Sequence, residues 1–170
     1  MSLSMYQASV PVFVRGLSNL RTILGKARAH AEAKKIAPEV FLTSRLYPDM
    51  FPLTRQVQIA CDVVKFGAAR LAGLEAPSFP DTEATFDELE QRIDKTLAYI
   101  QQVDASQIEG SETRVVNVKL PSGTIEFTGV AYLFDFVLPN LYFHSTTTYA
   151  ILRHNGVEVG KLDFLGKLSA

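Results

Sequence analysis

An all-α, up-and-down four-helix bundle carrying one small β-hairpin is predicted by three features of the sequence. Apolar residues recur three and four apart in four separate stretches, which lines one side of a helix in each. One later stretch alternates with period two around a glycine-containing turn, the mark of a hairpin. The chain has 170 residues, 47% of them hydrophobic, which suits a single domain over 1–170 with a sizeable core.

The first stripe is Tyr6, Val10, Phe13, Leu17, Leu20, Leu24, Ala27 and Ala31. Pro11 falls inside it. The helix either starts near Ser9, or starts near Ser4 and bends at the proline; the unbroken stripe favours the bend. Residues 34–52 carry Pro38, Pro48 and Pro52 and read as a long ordered connection across the bundle, with one helical turn at 39–43. Pro52 suits the first position of a second helix. Leu53, Val57, Ala60, Val64, Gly67 and Leu71 then hold helical spacing until Gly73. After the loop at 76–80, Thr85 and Glu88 have the spacing of a capping box. Phe86, Leu89, Ile93, Leu97 and Ile100 carry the third helix to about Val103.

Residues 114–120 place Val116, Val118 and Leu120 on one face of a strand. Pro121, Ser122 and Gly123 form the turn, and residues 124–127 return. Thr128 is positioned to cap the fourth helix. That helix is apolar nearly all round over 130–143 and is expected to be the most buried element. Pro139 should kink it, freeing the carbonyl of Asp135; either the bend fits the helix to its neighbours or a small cavity opens there. Gly156 ends it, with Arg153 and His154 at the negative end of its dipole. Residues 162–165 are expected to pack on the surface.

Composition excludes several functions. Lys and Arg total 17 against 18 Asp and Glu, a net charge of −1, so no basic excess serves nucleic acid. No apolar run reaches membrane-span length, and the first residues lack the basic region of a secretory signal. The one cysteine, Cys61, cannot form an intramolecular disulfide and fits a reducing cytoplasm. It has no histidine one turn away, so packing outweighs a nucleophilic role. Phosphate-loop, nucleophile-elbow and His-Glu-x-x-His motifs are absent from the sequence. The acidic run Asp81, Glu83, Asp87, Glu88 and Glu90 reads as dipole-favourable charge on a solvated face.

His144 is the residue on which function turns. A polar ring on a core-facing helix must be paired or used. Gln58, Asn140, Thr147 and Thr148 are its candidate hydrogen-bond partners. Asp62, one turn after Gln58, can add a carboxylate. Gln58, Asp62, Asn140, His144 and Thr148 together form the candidate pocket. His30 and His154 lie near helix ends, where a cation is favoured.

Three blocks of sequence carry a resemblance. They are Ser4-Met-Tyr-Gln-Ala-Ser-Val-Pro11, Pro48-Asp-Met-Phe-Pro-Leu-Thr-Arg-Gln-Val-Gln-Ile-Ala60, and Pro139-Asn-Leu-Tyr-Phe-His144 with Ile151-Leu-Arg-His-Asn-Gly156. Together they resemble a bacterial family of unassigned function within the DinB/YfiT-like superfamily of four-helix bundles. The resemblance spans nearly the whole chain. It implies a divalent nickel or zinc held by three histidines, one on the second helix and an H-x-x-x-H pair on the fourth, used for thiol-dependent transfer or hydrolysis. Those positions correspond here to Gln58, His144 and Thr148, so only His144 is a superfamily-type ligand. Gln58 and Thr148 are neutral oxygen donors that suit nickel or zinc poorly. No cofactor is therefore expected. A DinB-like small-ligand-binding or interaction module with a degenerate metal site is favoured over a metal-dependent transferase or hydrolase using an atypical ligand set around His144. The resemblance also implies a homodimer, with the hairpin and aromatic-rich surface offering apolar area to bury.

Overall fold

The computed structural model describes residues 3–167. Four long helices form the bundle: α2 (Val10–Lys34), α4 (Leu53–Ala72), α5 (Phe86–Ile100) and α8 (Leu138–His154). Around the bundle α2 touches α5 and α8, and α4 touches α5 and α8, so α2 and α4 sit diagonally. The connection at 35–52, with the short helix α3 (Pro38–Leu42), therefore crosses one end of the bundle, as the prolines in it predict.

Side-chain pairs give each helix its sense. Arg21 meets Asp94 and Arg28 meets Asp87, so α2 and α5 are antiparallel. Gln56 meets His144 and Arg70 meets Tyr132, so α4 and α8 are antiparallel. Tyr99 reaches the carbonyl of Glu75 beyond the end of α4, while Asp81 and Glu83 meet Arg55 and Gln58 at its start. Hence α4 and α5 are parallel, which departs from the up-and-down alternation expected of consecutive helices, and the segment after Gly73 runs back along the bundle. About ten extended residues span roughly 33–36 Å, enough to retrace a 20-residue helix.

Helix ends follow the local chemistry. Thr85 and Glu88 form the expected capping box. Gly73 ends α4 with φ of 72°, the left-handed region that glycine enters without penalty. Pro52 is the cap before α4 rather than its first residue. Near the N-terminus the stripe is preserved but the helix is interrupted. α1 (Met5–Ala8) stops at Ser9, whose φ of −116° and ψ of −85° are not helical, and α2 restarts with Pro11 in its first turn. The bend thus lies at Ser9, where the proline needs no donor from its own nitrogen.

The hairpin pairs β1 (Val115–Leu120) with β2 (Gly123–Thr128), Val115 opposite Thr128. Val116 and Val118 are buried against the bundle while Val115 faces out. α6 (Ala105–Ile108) precedes the hairpin and α7 (Gly129–Ala131) follows it, with Thr128 as the cap.

Three further regions depart from expectation. The fourth helix is not buried all round: Val130, Phe134, Tyr142 and Phe143 are each more than 40% exposed. Its apolar composition misleads because α8 occupies a corner of the bundle and covers only the sides that meet α2 and α4. Second, Leu97 is half-buried, and Thr96 takes the core position with its hydroxyl bonded to the Arg92 carbonyl at 2.9 Å. The helix also ends at Ile100, short of Val103. Third, the chain meets Pro139 through a π-helical stretch at Tyr132–Val137, in which the Leu138 N–H reaches the Leu133 carbonyl, and α8 starts with the proline in its first turn. The Asn140 amide then donates to the Phe136 carbonyl at 2.7 Å. The tail helix α9 (Lys161–Leu165) packs on α2 as a surface element.

Candidate functional site

Arg92 is the centre of the most densely paired polar region. Its helix spacing with Leu89 and Thr96 turns it inward, and it is 2% exposed. A buried guanidinium keeps its charge and needs acceptors around its planar fork. Its NH2 donates to Asp62 at 3.0 Å, and its NH1 lies 2.9 Å from both Asp81 and Glu83. The carbonyl of Pro80 accepts a further bond at 3.1 Å. Lys65, also buried, holds the same Asp62 oxygen at 2.7 Å, between the rings of Phe66 and Phe79. Gln58 donates to Glu83 at 2.9 Å and accepts from Arg55 at 3.2 Å, and Arg55 pairs with Asp81. The acidic run is a solvated face only in part: Asp81, Asp87 and Glu88 are exposed, whereas Glu83 is half-buried and Glu90 buried. Asp81 and Glu83 bind the returning segment to α5 and α4, Glu90 is buried beside Arg21 and Arg28, and Glu88 caps α5.

His144 stands on α8, 7% exposed, facing the start of α4. Its partner is Gln56, which the sequence reading did not single out. The Gln56 amide donates to the Phe51 carbonyl at 3.0 Å, which turns its oxygen toward His144 Nδ1 at 2.7 Å. That orientation assigns the proton to Nδ1 and leaves Nε2 with the lone pair. Burial, and then the nearby charge of Arg55, push the imidazole down to about 4, so it is neutral at pH 7. Thr148 and Thr147 spend their hydroxyls on the carbonyls of His144 and Phe143 at 2.9 and 2.8 Å. Asn140 is committed to Phe136. His144 and Thr148 are one turn apart on α8, and Gln58 and Asp62 one turn apart on α4, but no hydrogen bond among the described residues joins the two pairs.

This arrangement makes His144 a pH-dependent element of stability. The unfolded chain takes up the proton near pH 6.5, whereas the folded imidazole resists until about 4. Between those values the unfolded state binds more protons, so stability falls as pH drops through that window. The loss from this group is expected to reach at most about 3 kcal/mol. Urea titrations at pH 7 and pH 4.5 should show a smaller pH loss in His144→Gln than in the parent. Equal losses would rule this out.

The donor set does not fit a nickel or zinc ion. His144 is oriented as a ligating imidazole would be, with its outer N–H held by an amide. The other candidate groups are committed elsewhere: Gln58 bridges Arg55 and Glu83, the Thr148 hydroxyl donates to the His144 carbonyl, and the Asp62 carboxylate lies between two cations. Among the described residues, no group of three His, Cys, Asp or Glu side chains is placed to hold a metal. His30 is half-buried with its ring edge-on to Phe41 at 5.9 Å, and His154 is exposed. Cys61 is fully buried and its thiol is pushed up to about 12 by burial, which suits packing and not nucleophilic attack.

A separate cavity of about 530 Å3 opens between α2, α8 and α9. Its size lies within the roughly 300–1,000 Å3 of small-molecule sites. Its walls are mostly apolar, with Arg15, Asn19 and Ser145 as polar members. Ser145 is 5% exposed, and its hydroxyl has no partner among the described residues. Gln58, Asp62, Asp81 and Glu83 stood out in the sequence, but Arg92 at their centre and the cavity did not. Arg92 had a signal in its spacing with Leu89 and Thr96; the cavity had none, because it forms where three elements separated in sequence meet.

A four-helix bundle with a hairpin between its third and fourth long helices is a DinB-like protein. The chain belongs to the family described as a domain of unknown function (DUF1993), which matches residues 5–165. It is similar in structure to a DinB family member protein from Shewanella denitrificans, with a TM-score of 0.89 and 44% identity over 97% of this chain and 93% of that one. Comparison with curated proteins gives no match. Among the described residues no helix is long and apolar enough to cross a membrane.

Proposed function

We propose that this protein is a small-ligand-binding bundle that works without a resident metal, its superfamily-type metal site being degenerate. The observation that carries the reading is the commitment of Asp62 to Lys65 and Arg92, at 2.7 and 3.0 Å. A carboxylate between two cations has little charge left to offer an ion, and stripping it away would leave a buried guanidinium short of a partner. His144 then serves as a neutral group whose Nε2 accepts a hydrogen bond. Pairing with a second copy is supported by the exposed apolar side of the fourth helix, at Val130, Phe134, Tyr142 and Phe143.

Native mass spectrometry of the protein, dialysed without chelator, reads both points. The expected result is a dimer mass with no stoichiometric nickel or zinc, unchanged in His144→Ala. About one metal per chain in the parent, lost in the variant, would instead establish the metal-dependent transferase or hydrolase reading. A monomer mass at micromolar concentration would refute the pairing.

A further inference from the structure

We infer that the cavity between α2, α8 and α9 binds an amphipathic carboxylic acid, with its apolar body inside and its carboxylate at Arg15. The inference rests on the ligand-binding reading above and gives that ligand a place and a chemical class.

Three observations carry it. The first is the shape and lining of the space. Val12, Leu20 and Ile23 of α2 face Phe164 and Leu165 of α9 across about 530 Å3, enough for a medium-length chain or a substituted ring. Gly16 lies on the same wall. A Cβ there would stand 3.1 Å from Leu141 Cδ2, so glycine lets the helices approach without a side chain entering the space.

The second is the hydroxyl of Ser145. Its neighbours Thr147 and Thr148 turn their hydroxyls back onto carbonyls of their own helix, but Ser145 does not. This shielded hydroxyl belongs to a wall residue and has no partner among the described residues, so a turn about the Ser145 Cα–Cβ bond would offer it to a polar atom of an occupant. Asn19 has one of its two amide hydrogens already engaged, since Nδ2 donates to the Phe164 carbonyl at 3.0 Å and fastens α9 in place.

The third is the charge at the rim. Arg21 and Arg28, on the same helix as Arg15, each pair with carboxylates of α5. Among the described residues Arg15 pairs with none, and its one hydrogen bond goes to the Leu165 carbonyl at 3.3 Å. A guanidinium beside an apolar cavity matches a carboxylate head with an apolar tail, through charge-assisted bonds.

Isothermal titration calorimetry with decanoate, 1-decanol and butyrate tests this. Decanoate should bind once per chain, 1-decanol about 10-fold more weakly, and butyrate should give no heat. Arg15→Ala should lose about 10-fold for decanoate and leave 1-decanol unchanged. Val12→Trp and Ser145→Leu fill the cavity from opposite walls, and a folded variant of either should bind neither long ligand. Absence of saturable decanoate binding in the parent overturns the inference. Undiminished binding in the filled variants does so too, since it places the ligand elsewhere. Equal losses for acid and alcohol in Arg15→Ala overturn the carboxylate assignment. Repeating the titration after EDTA treatment separates the two readings. An affinity that depends on metal sinks the metal-free function, while the Arg15 and Val12 variants still decide the site.

Discussion

Arg92→Leu should destabilise the fold by about 3–5 kcal/mol, the usual cost of removing one partner from a buried charge network. Leucine fits the apolar neighbourhood of Leu89 and Ile93 but offers no donor. Glu83 would lose the bond at 2.9 Å that ties the returning segment to α5, and Asp62 would keep only Lys65. The Pro80 carbonyl would be orphaned as well. Arg92→Lys should recover only part of the loss, because one ammonium cannot reproduce a planar fork that serves both α4 and the segment at 80–83. For a chain of this size the leucine variant should melt roughly 10 °C below the parent. Urea unfolding at pH 7 measures the difference. A loss under about 1 kcal/mol would show that the network is replaceable by apolar packing, as some buried ion pairs are.

Phe13→Ala should cost about 3–5 kcal/mol, through lost burial and the hole left behind. Phe13 is fully buried on α2, and its ring reaches across the diagonal to the place where a Cβ on Gly67 would stand 3.5 Å away. Val137 fills the same place from the π-helical stretch, 2.8 Å from that Cβ position. The glycine therefore lets three elements converge on one ring, and removing the ring leaves a void that α4 cannot collapse into without moving α8. Val115→Ala on the exposed strand face serves as the control, with an expected change within about 0.5 kcal/mol. Comparable losses at both positions in urea unfolding would mean that the core is misplaced.

The helices and the hairpin were legible because their signals are local. Spacing of three and four marks a helix face, period two marks a strand, and Thr85, Gly73, Thr128 and Gly156 mark ends by short-range hydrogen bonding or backbone freedom. The site was legible only in part. His144 was recognisable as a polar ring on an apolar helix, but its partner is Gln56 and not Gln58, a choice made by the rotation of α4 against α8. Asp62 read as a spare carboxylate because Arg92 lies thirty residues away, and only the parallel run of α4 and α5 brings them within 3.0 Å.

Burial of the fourth helix depends on how many neighbours surround it, and composition carries no such count. Its apolar residues specify a helix that prefers to be covered; two neighbours in one bundle leave Phe134 and Phe143 in solvent. Likewise, each of α2, α8 and α9 can be read from its own residues, but the space among them has no residue of its own. Local backbone preferences and apolar periodicity act over a few residues and are written in the chain. Helix sense, pairing of distant charges and the volume left between packed surfaces depend on contacts between segments far apart in sequence, and they come into being when those segments meet.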